Sequence, residues 1–124
     1  MIENSCPCRG DTLDRLLRPA ILSCIAEEPQ HGYQIAKRLE SFRIFKKAAP
    51  DLAGLYRCLR ELADQGLVTS EWDTPARGKA RRRFSITQDG LDCVRQWGIT
   101  LVEYVTAIKD LQSRLKAVAG KRKA

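Results

Sequence analysis

DLAGLYRCLRELADQG, residues 51–66, is followed directly by LVTSEW, residues 67–72, and these two segments decide the fold. In the first segment apolar residues return every three or four positions, which predicts a helix with one buried face. Asp51 suits the cap before this helix, and Gly66 suits its end because glycine adopts a left-handed backbone without steric cost. In the second segment apolar and polar residues alternate, as in a half-buried strand. The predicted helix covers residues 52–65, and its expected buried stripe is Leu52, Leu55, Tyr56, Leu59 and Leu62.

A second alternating segment follows the first after a short interval. Residues 74–79 contain proline and glycine, which are typical of a turn. Phe84 and Ile86 then fall on one face of a second predicted strand, residues 83–87. The two strands and their basic turn predict a β-hairpin.

Two more helices are predicted before the central one. Residues 12–27 carry apolar residues at helical spacing, but Pro19 interrupts them. This region is therefore either one kinked helix or a short helix followed by a second that begins at Pro19. Residues 28–30 predict a turn, and residues 31–42 predict the next helix, followed by a basic connector at 43–50. The expected apolar face of helix 31–42 is Tyr33, Ile35, Ala36, Leu39 and Phe42.

A long helix is predicted after Thr87, which suits its cap position. From Val94 onward an apolar seven-residue repeat appears, and such a repeat favours packing of one helix against another. One heptad position is occupied by Val94, Leu101, Ile108 and Leu115, and the position three residues later by Trp97, Tyr104, Leu111 and Val118.

The order of these elements predicts the fold class. Helix, turn, helix and hairpin in succession are typical of a winged helix-turn-helix. The fold class is therefore mainly α with a small β-hairpin, and a long C-terminal helix follows it. The heptad repeat makes this a candidate dimerisation helix; the alternative is that its apolar seam packs on the chain's own core. The predicted parts are a flexible arm at 1–11, a winged helix-turn-helix DNA-binding domain at 12–87, a dimerisation helix at 88–119 and a basic tail at 120–124.

Composition narrows the classes of function. The chain has 124 residues, 44% of them hydrophobic, and a formal net charge of +7, which favours a polyanionic partner. No apolar segment is long enough to cross a membrane, and the first residues do not resemble a secretory signal. We therefore expect a cytoplasmic protein without a membrane partner, whose five cysteines are reduced and form no disulfide framework.

The helix at 52–65 carries the side chains that would read DNA. Arg57 and Arg60 lie opposite the leucine stripe, and arginine can bond a guanine edge or hold phosphates. The small Ala53 and Gly54 in the first turn would let the backbone approach phosphate closely. The alternative is an ordinary exposed helix face on which Arg60 pairs with Asp64.

The hairpin turn and second strand concentrate positive charge, which suits contact with phosphates. The alternative is a solvated loop that keeps the protein soluble. The combination of a basic helix and a basic hairpin favours double-stranded DNA as the partner. The full set of predicted DNA-binding residues is Tyr33, Ala53, Gly54, Tyr56, Arg57, Arg60, Arg77, Lys79, Arg81, Arg82 and Arg83.

Three segments together resemble the PadR family of bacterial transcriptional regulators. Residues 31–35, HGYQI, are similar to the motif that opens the family's second helix. Residues 55–62 with 66–68 resemble its recognition helix and the exit into the wing, and residues 82–90 its second wing strand. The resemblance covers residues 19–118. Where the family commonly has Gly-Thr and Pro around Leu-Tyr, this chain has Ala53-Gly54 and Arg57, so the operator sequence does not transfer.

The resemblance implies a homodimer, usually a repressor, that binds an inverted repeat and dimerises through its last helix. It also implies release by a small aromatic or cationic effector bound between subunits. Trp97 would stack on such a compound; the alternative is that Trp97 fills the dimer core. The expected interface residues are Leu13, Leu17, Val94, Trp97, Leu101, Tyr104, Ile108, Leu111 and Leu115.

Other functions are alternatives to that of a repressor released by a small-molecule effector. Cys6 and Cys8 are candidate ligands of a soft metal or a redox pair, which would make the chain a metal- or redox-responsive repressor. A winged-helix subunit that binds protein and a nonspecific nucleoid-type DNA binder are further alternatives. We expect no enzyme and no cofactor, because no nucleophile with an orienting acid surrounds His31 and no phosphate-binding glycine loop exists.

Overall fold

The computed structural model describes residues 13–46, 49–75 and 77–122, apart from the side chains of residues 13 and 14. The expected arm with Cys6 and Cys8, and the side chain of Leu13, lie outside the described residues. The elements in chain order are α1 (Leu17–Glu27), β1 (Gln30–His31), α2 (Gly32–Leu39), α3 (Leu52–Asp64), β2 (Val68–Asp73), β3 (Arg81–Ile86) and α4 (Gln88–Arg122), with 3-10 turns at Leu13–Leu16 and Arg43–Phe45.

Helix α1 decides between the two expectations for residues 12–27. The 3-10 turn runs directly into α1, and Pro19 lies in the first turn of the helix, where the missing N–H costs no internal hydrogen bond. The helix therefore begins before Pro19 rather than at it. Its buried residues are Ala20, Ile21, Leu22, Cys24 and Ile25.

The sheet has three strands rather than the two of the predicted hairpin. Its antiparallel order is β1-β3-β2, and Gln30 of β1 pairs with Phe84 of β3. Gln30 is buried, and its Nε2 donates to the carbonyl oxygens of Cys24 at 2.5 Å and Glu28 at 3.3 Å. Gln30, which the sequence assigned to a turn, therefore supplies hydrogen bonds to carbonyl groups at the end of α1 and also begins the sheet.

Helix α2 ends at Leu39, three residues before the predicted end at Phe42. The N–H groups of Ser41 and Phe42 donate to carbonyls three residues back, which tightens the chain into a turn. Ile35 and Leu39 are buried, as predicted. Tyr33 is 60% exposed, so the prediction that it lies on the buried face was wrong.

Helix α3 begins at the predicted residue, ends one residue before the predicted Gln65, and has a narrower buried stripe. Asp51 Oδ1 accepts the Gly54 N–H at 2.7 Å, and Gly66 adopts a φ of 75° beyond the last turn. Leu52 and Tyr56 were predicted to be buried but are 54% and 44% exposed, because they lie at the edge of the stripe rather than at its centre. The stripe itself is Leu55, Cys58, Leu59 and Leu62.

The hairpin of β2 and β3 is called the wing. Helix α4 begins where the wing returns to the C-terminal end of α3, at the hydrogen bond from the Thr87 N–H to the Leu67 carbonyl. Thr87 Oγ1 accepts the Gly90 N–H at 3.0 Å, which confirms the predicted cap. Residue contacts divide the chain into two compact units, Met1–Val94 and Arg95–Ala124. In the described residues, no helix has the length and apolar composition needed to cross a membrane.

Candidate nucleic-acid interface

The outward ridge of α3 presents the predicted DNA-reading side chains. Ala53, Arg57 and Arg60 are exposed and lie opposite the buried stripe. Within the described part of the chain, neither guanidinium makes a hydrogen bond or an ion pair. Both arginines therefore retain all their donors for a partner.

Acidic residues stand near these arginines without neutralising them. Glu61 lies one turn after Arg57, but its Oε2 contacts Arg18 Nη1 at 3.6 Å instead. Arg18 also donates to Gln65 Oε1. The pairing of Arg60 with Asp64, expected for an ordinary exposed helix face, is not found among the described residues. The positive charge of the ridge therefore remains available.

The first turn of α3 is organised by its cap. The N–H of Gly54 is bonded to Asp51 Oδ1, and a Cβ at Gly54 would lie 2.8 Å from that oxygen. The glycine therefore makes room for the cap. The Gly54 N–H is already bonded in the isolated chain, so it is not free to bind a phosphate. The remaining expected role of Gly54 is to let the helix backbone approach DNA closely.

The strands of the wing hold most of their arginines beside acidic or aromatic partners. In the β2–β3 register, Asp73 is opposite Arg81 and Glu71 is opposite Arg83. Directly opposed charges of unlike sign on a sheet attract each other. The net charge that these two arginines present to a polyanion is thus reduced.

Arg82 is engaged in a different way. Its guanidinium lies over the ring of Trp72, 5.5 Å from the centroid, and donates to Ser70 Oγ at 2.9 Å. Arg77 and Lys79 at the wing tip are exposed and have no such contacts in the described residues. The tip, rather than the strands, therefore carries the least opposed charge of the wing.

His31 connects α2 to the wing. Its backbone N–H donates to Gln34 Oε1 at 2.9 Å, and its Nδ1 lies 3.1 Å from the same oxygen. Its Nε2 lies 3.0 Å from Asp73 Oδ2 at the end of β2. The structure adds Asp73, a long-range partner that the sequence did not indicate.

Exposed aromatic side chains surround the N-terminal half of α3. A hollow of about 300 Å³ lies between α2 and the start of α3, and a second of about 300 Å³ lies between α2, α3 and the wing. Tyr33 lines both hollows, and the ring of Tyr56 lies so close to Gly32 that a Cβ there would come within 2.5 Å of it. Leu52 and Trp72, which sequence reasoning missed as site residues, line one hollow each.

The described cysteines behave as small buried residues. Cys24 and Cys58 are free and buried, and burial raises the pKa of both thiols, so thiolate is disfavoured. Cys93 is free and half-buried. No group of histidine, cysteine and acidic residues suited to a metal ion occurs in residues 13–46, 49–75 and 77–122.

In the unit Arg95–Ala124 the described residues, up to Arg122, form one stretch of helix with many exposed apolar residues. Trp97 and Leu101 are half-buried, whereas Tyr104, Ile108, Leu111 and Leu115 are exposed. These residues repeat with the heptad spacing and so form one stripe along the helix. Val94 and Leu17, also predicted at the interface, are half-buried in the other unit.

Comparison with known structures identifies the architecture. The conserved protein TM0937, a potential transcriptional factor of unknown function, is 32% identical over 86% of this chain and 92% of its own, with a TM-score of 0.70. A PadR family transcriptional regulator from Eggerthella lenta is 29% identical over 81% of this chain and 85% of its own, with a TM-score of 0.69. Bacillus subtilis PadR in complex with operator DNA shares the fold at 21% identity, over 68% of this chain and 48% of its own, with a TM-score of 0.61. No curated protein matches the sequence.

The family follows from the sequence as well as the fold. The sequence model of the transcriptional regulator PadR-like family matches residues 21–96, more than half of the chain. The expected fold class is confirmed, a mainly helical winged helix-turn-helix with a long last helix. Members of this family are transcription regulators and not enzymes. The chain belongs to the PadR-like family of transcriptional regulators.

Proposed function

We propose that this chain is a homodimeric repressor that binds an inverted-repeat operator in double-stranded DNA. Helix α3 would enter the major groove, and the wing tip would contact the flanking backbone. The observation that carries the proposal is the pair of exposed guanidinium groups of Arg57 and Arg60, which have no partner within the described residues. Bacillus subtilis PadR, which shares this fold, forms a complex with operator DNA.

The two arginines and the wing tip would contribute in different ways. Arg57 and Arg60 lie on the helix that faces base edges, where arginine distinguishes guanine by bidentate bonds. Arg77 and Lys79 lie at the tip of the hairpin, where phosphate contacts supply affinity without reading sequence. The net charge of +7 favours both kinds of contact.

Replacing Arg60 by alanine should weaken operator binding more than binding to random DNA. The expected loss on the operator is about 30-fold or more, because a bidentate contact to guanine contributes about 1–3 kcal/mol and the variant dimer loses one such contact in each half-site. Fluorescence anisotropy with both duplexes at one salt concentration measures the two affinities. The matched control is Lys79→Ala, which removes the same charge from the wing tip and should weaken both complexes equally. An equal loss from Arg60→Ala on both duplexes would show that Arg60 holds only phosphate.

Dimerisation is proposed to occur along α4. The exposed stripe of Tyr104, Ile108, Leu111 and Leu115 leaves apolar surface in water in the single chain, and its heptad spacing suits a second helix of the same kind. A second copy would cover it, with Leu13 and Leu17 of the first helical segment joining the interface. Two α3 helices held apart by such a dimer would match two half-sites of an inverted repeat.

Release by a small aromatic or cationic effector is proposed to involve Trp97. The indole is half-buried on α4 rather than enclosed in a core, so part of its surface remains available for stacking. A ligand held there between subunits would change the spacing of the two α3 helices and so disfavour the DNA-bound state.

The two tryptophans of the chain permit a direct test of this site. In a Trp72→Phe variant Trp97 is the only tryptophan, so excitation at wavelengths that tyrosine does not absorb reports on Trp97 alone. Titration with a planar aromatic dye that carries negative charge, which DNA repels, is expected to quench that emission and to lower operator affinity in parallel. Unchanged emission at concentrations of dye that release the DNA would place the effector elsewhere.

A further inference from the structure

The winged-helix unit exposes few large apolar side chains, and they lie together. In the described part of Met1–Val94 they are Tyr33, Leu52, Tyr56 and Trp72. All four line the two hollows beside α3. Clustered apolar exposure on a small domain marks a contact surface, whereas single exposed apolar residues do not.

Leu52 is the aliphatic member of this cluster and the first residue of α3. It is 54% exposed, and it precedes Tyr56 by one helical turn on the same side of the helix. Its backbone is held by the adjacent cap, in which Asp51 Oδ1 accepts the Gly54 N–H at 2.7 Å. A leucine at this position therefore has a fixed backbone and an apolar surface that is largely exposed.

The aromatic members of the cluster are already engaged by their own unit. The ring of Tyr56 packs against Gly32, and the ring of Tyr33 has Lys37 Nζ at 5.9 Å from its centroid. Trp72 is covered on one side by Arg82. Leu52 is the member without a ring or a polar atom, it is 54% exposed, and it adjoins the ridge that carries Ala53 and Arg57.

We propose that Leu52 determines specificity by contacting the 5-methyl group of a thymine in the major groove. This inference rests on the proposed function. The N-terminal residues of a recognition helix face base edges, and the thymine methyl is the apolar group that those edges offer. Arg57 and Arg60 would read guanine on the same helix. Each half-site should then combine a thymine with a neighbouring guanine.

The test removes the methyl group from the DNA and the side chain from the protein, separately and together. An operator recovered by selection from random duplexes is synthesised with deoxyuridine in place of each thymine in turn. Wild-type protein should lose about fourfold in affinity at one position of each half-site, and about 15-fold when both half-sites are changed, as expected for one methyl each. Leu52→Ala should bind the unmodified operator with the same loss and show no further loss on the uracil duplex.

Two controls separate this contact from general damage. Arg57→Ala should keep the full uracil effect, because it removes a different contact on the same helix. Thermal unfolding of Leu52→Ala should match the parent, since the side chain is mostly exposed. Equal binding of wild type to thymine and uracil operators, or a uracil penalty that survives in Leu52→Ala, would overturn the inference and leave the regulator proposal standing. Failure of wild type to distinguish the operator from a scrambled duplex would overturn both.

Discussion

Tyr104→Asp should convert the proposed dimer into monomers and abolish operator binding at concentrations that saturate the wild type. Tyr104 lies in the middle of the heptad stripe and is 47% exposed in the single chain, so the variant monomer should fold normally. In a dimer the two aspartates would be buried without partners. Burial of an unpaired carboxylate costs several kcal/mol. With two copies per dimer, we expect dimer affinity to fall by roughly a thousandfold or more.

The mass of the protein in solution, measured by light scattering or sedimentation equilibrium, reports this change directly. The matched control is Thr106→Asp, which adds the same charge two residues later, on the opposite side of the helix from the stripe. The side chain of Thr106 is exposed, and its hydroxyl donates to the carbonyl oxygen of Val102 in the same helix at 3.2 Å. This variant should therefore remain dimeric. A Tyr104→Asp protein that keeps the mass and operator affinity of wild type would contradict dimerisation along this stripe.

Gly90→Ala should cause the largest loss of folding stability of any glycine-to-alanine change among the described residues. A Cβ at Gly90 would lie 2.1 Å from the carbonyl oxygen of Leu67 and 2.6 Å from Ile86 Cδ1. The first of these atoms belongs to the backbone and cannot move aside. Thr87 Oγ1 also donates to the carbonyls of Gly66 at 2.7 Å and Leu67 at 3.0 Å, which holds α4 against this junction. Overpacking of this kind costs about 3 kcal/mol, or about 10 °C in Tm.

Circular dichroism melts of the variant and the parent, at one protein concentration, measure the difference. Gly120→Ala is the control within the same helix, because a Cβ there meets nothing within 4 Å. It should leave the Tm unchanged or raise it slightly, since alanine favours a helix over glycine by up to about 1 kcal/mol. Equal melting temperatures for Gly90→Ala and the parent would show that this junction is looser than its geometry indicates.

The parts of the fold that depend on local signals were predictable from the sequence. Asp51 and Thr87 cap their helices through bonds that span three residues, and Gly66 ends α3 by its own backbone conformation. The change from helical to alternating periodicity after Gly66 marks the entry into the wing. Such signals depend only on residues that are close together in the sequence, so they can be recognised from a single sequence.

The parts that depend on distant contacts were not predictable. Strand β1 has two residues and exists because Gln30 pairs with Phe84, far along the chain. The contact of His31 with Asp73 likewise joins α2 to the end of β2. The segment 28–30 is short and contains proline, so local pattern alone favoured a turn.

The main DNA-facing residues of the candidate site were predicted from the sequence, but the residues at its margin were not. Periodicity identified the outward direction of Arg57 and Arg60 but could not show where the buried stripe stops. Leu52 and Tyr56 were therefore assigned to the core, although they lie on its exposed margin. In the wing, the run of arginines was visible in sequence. The cross-strand register that places Asp73 and Glu71 opposite two of them was not.

The most direct test of the central claim is the binding of purified protein to an inverted repeat selected from random DNA, compared with a scrambled duplex of the same composition. Anisotropy at fixed salt gives the affinity ratio, and the mass of the complex gives the number of chains bound. We predict two chains per duplex and a preference of about a thousandfold or more for the selected site. A single bound chain, or equal affinity for both duplexes, would contradict the account.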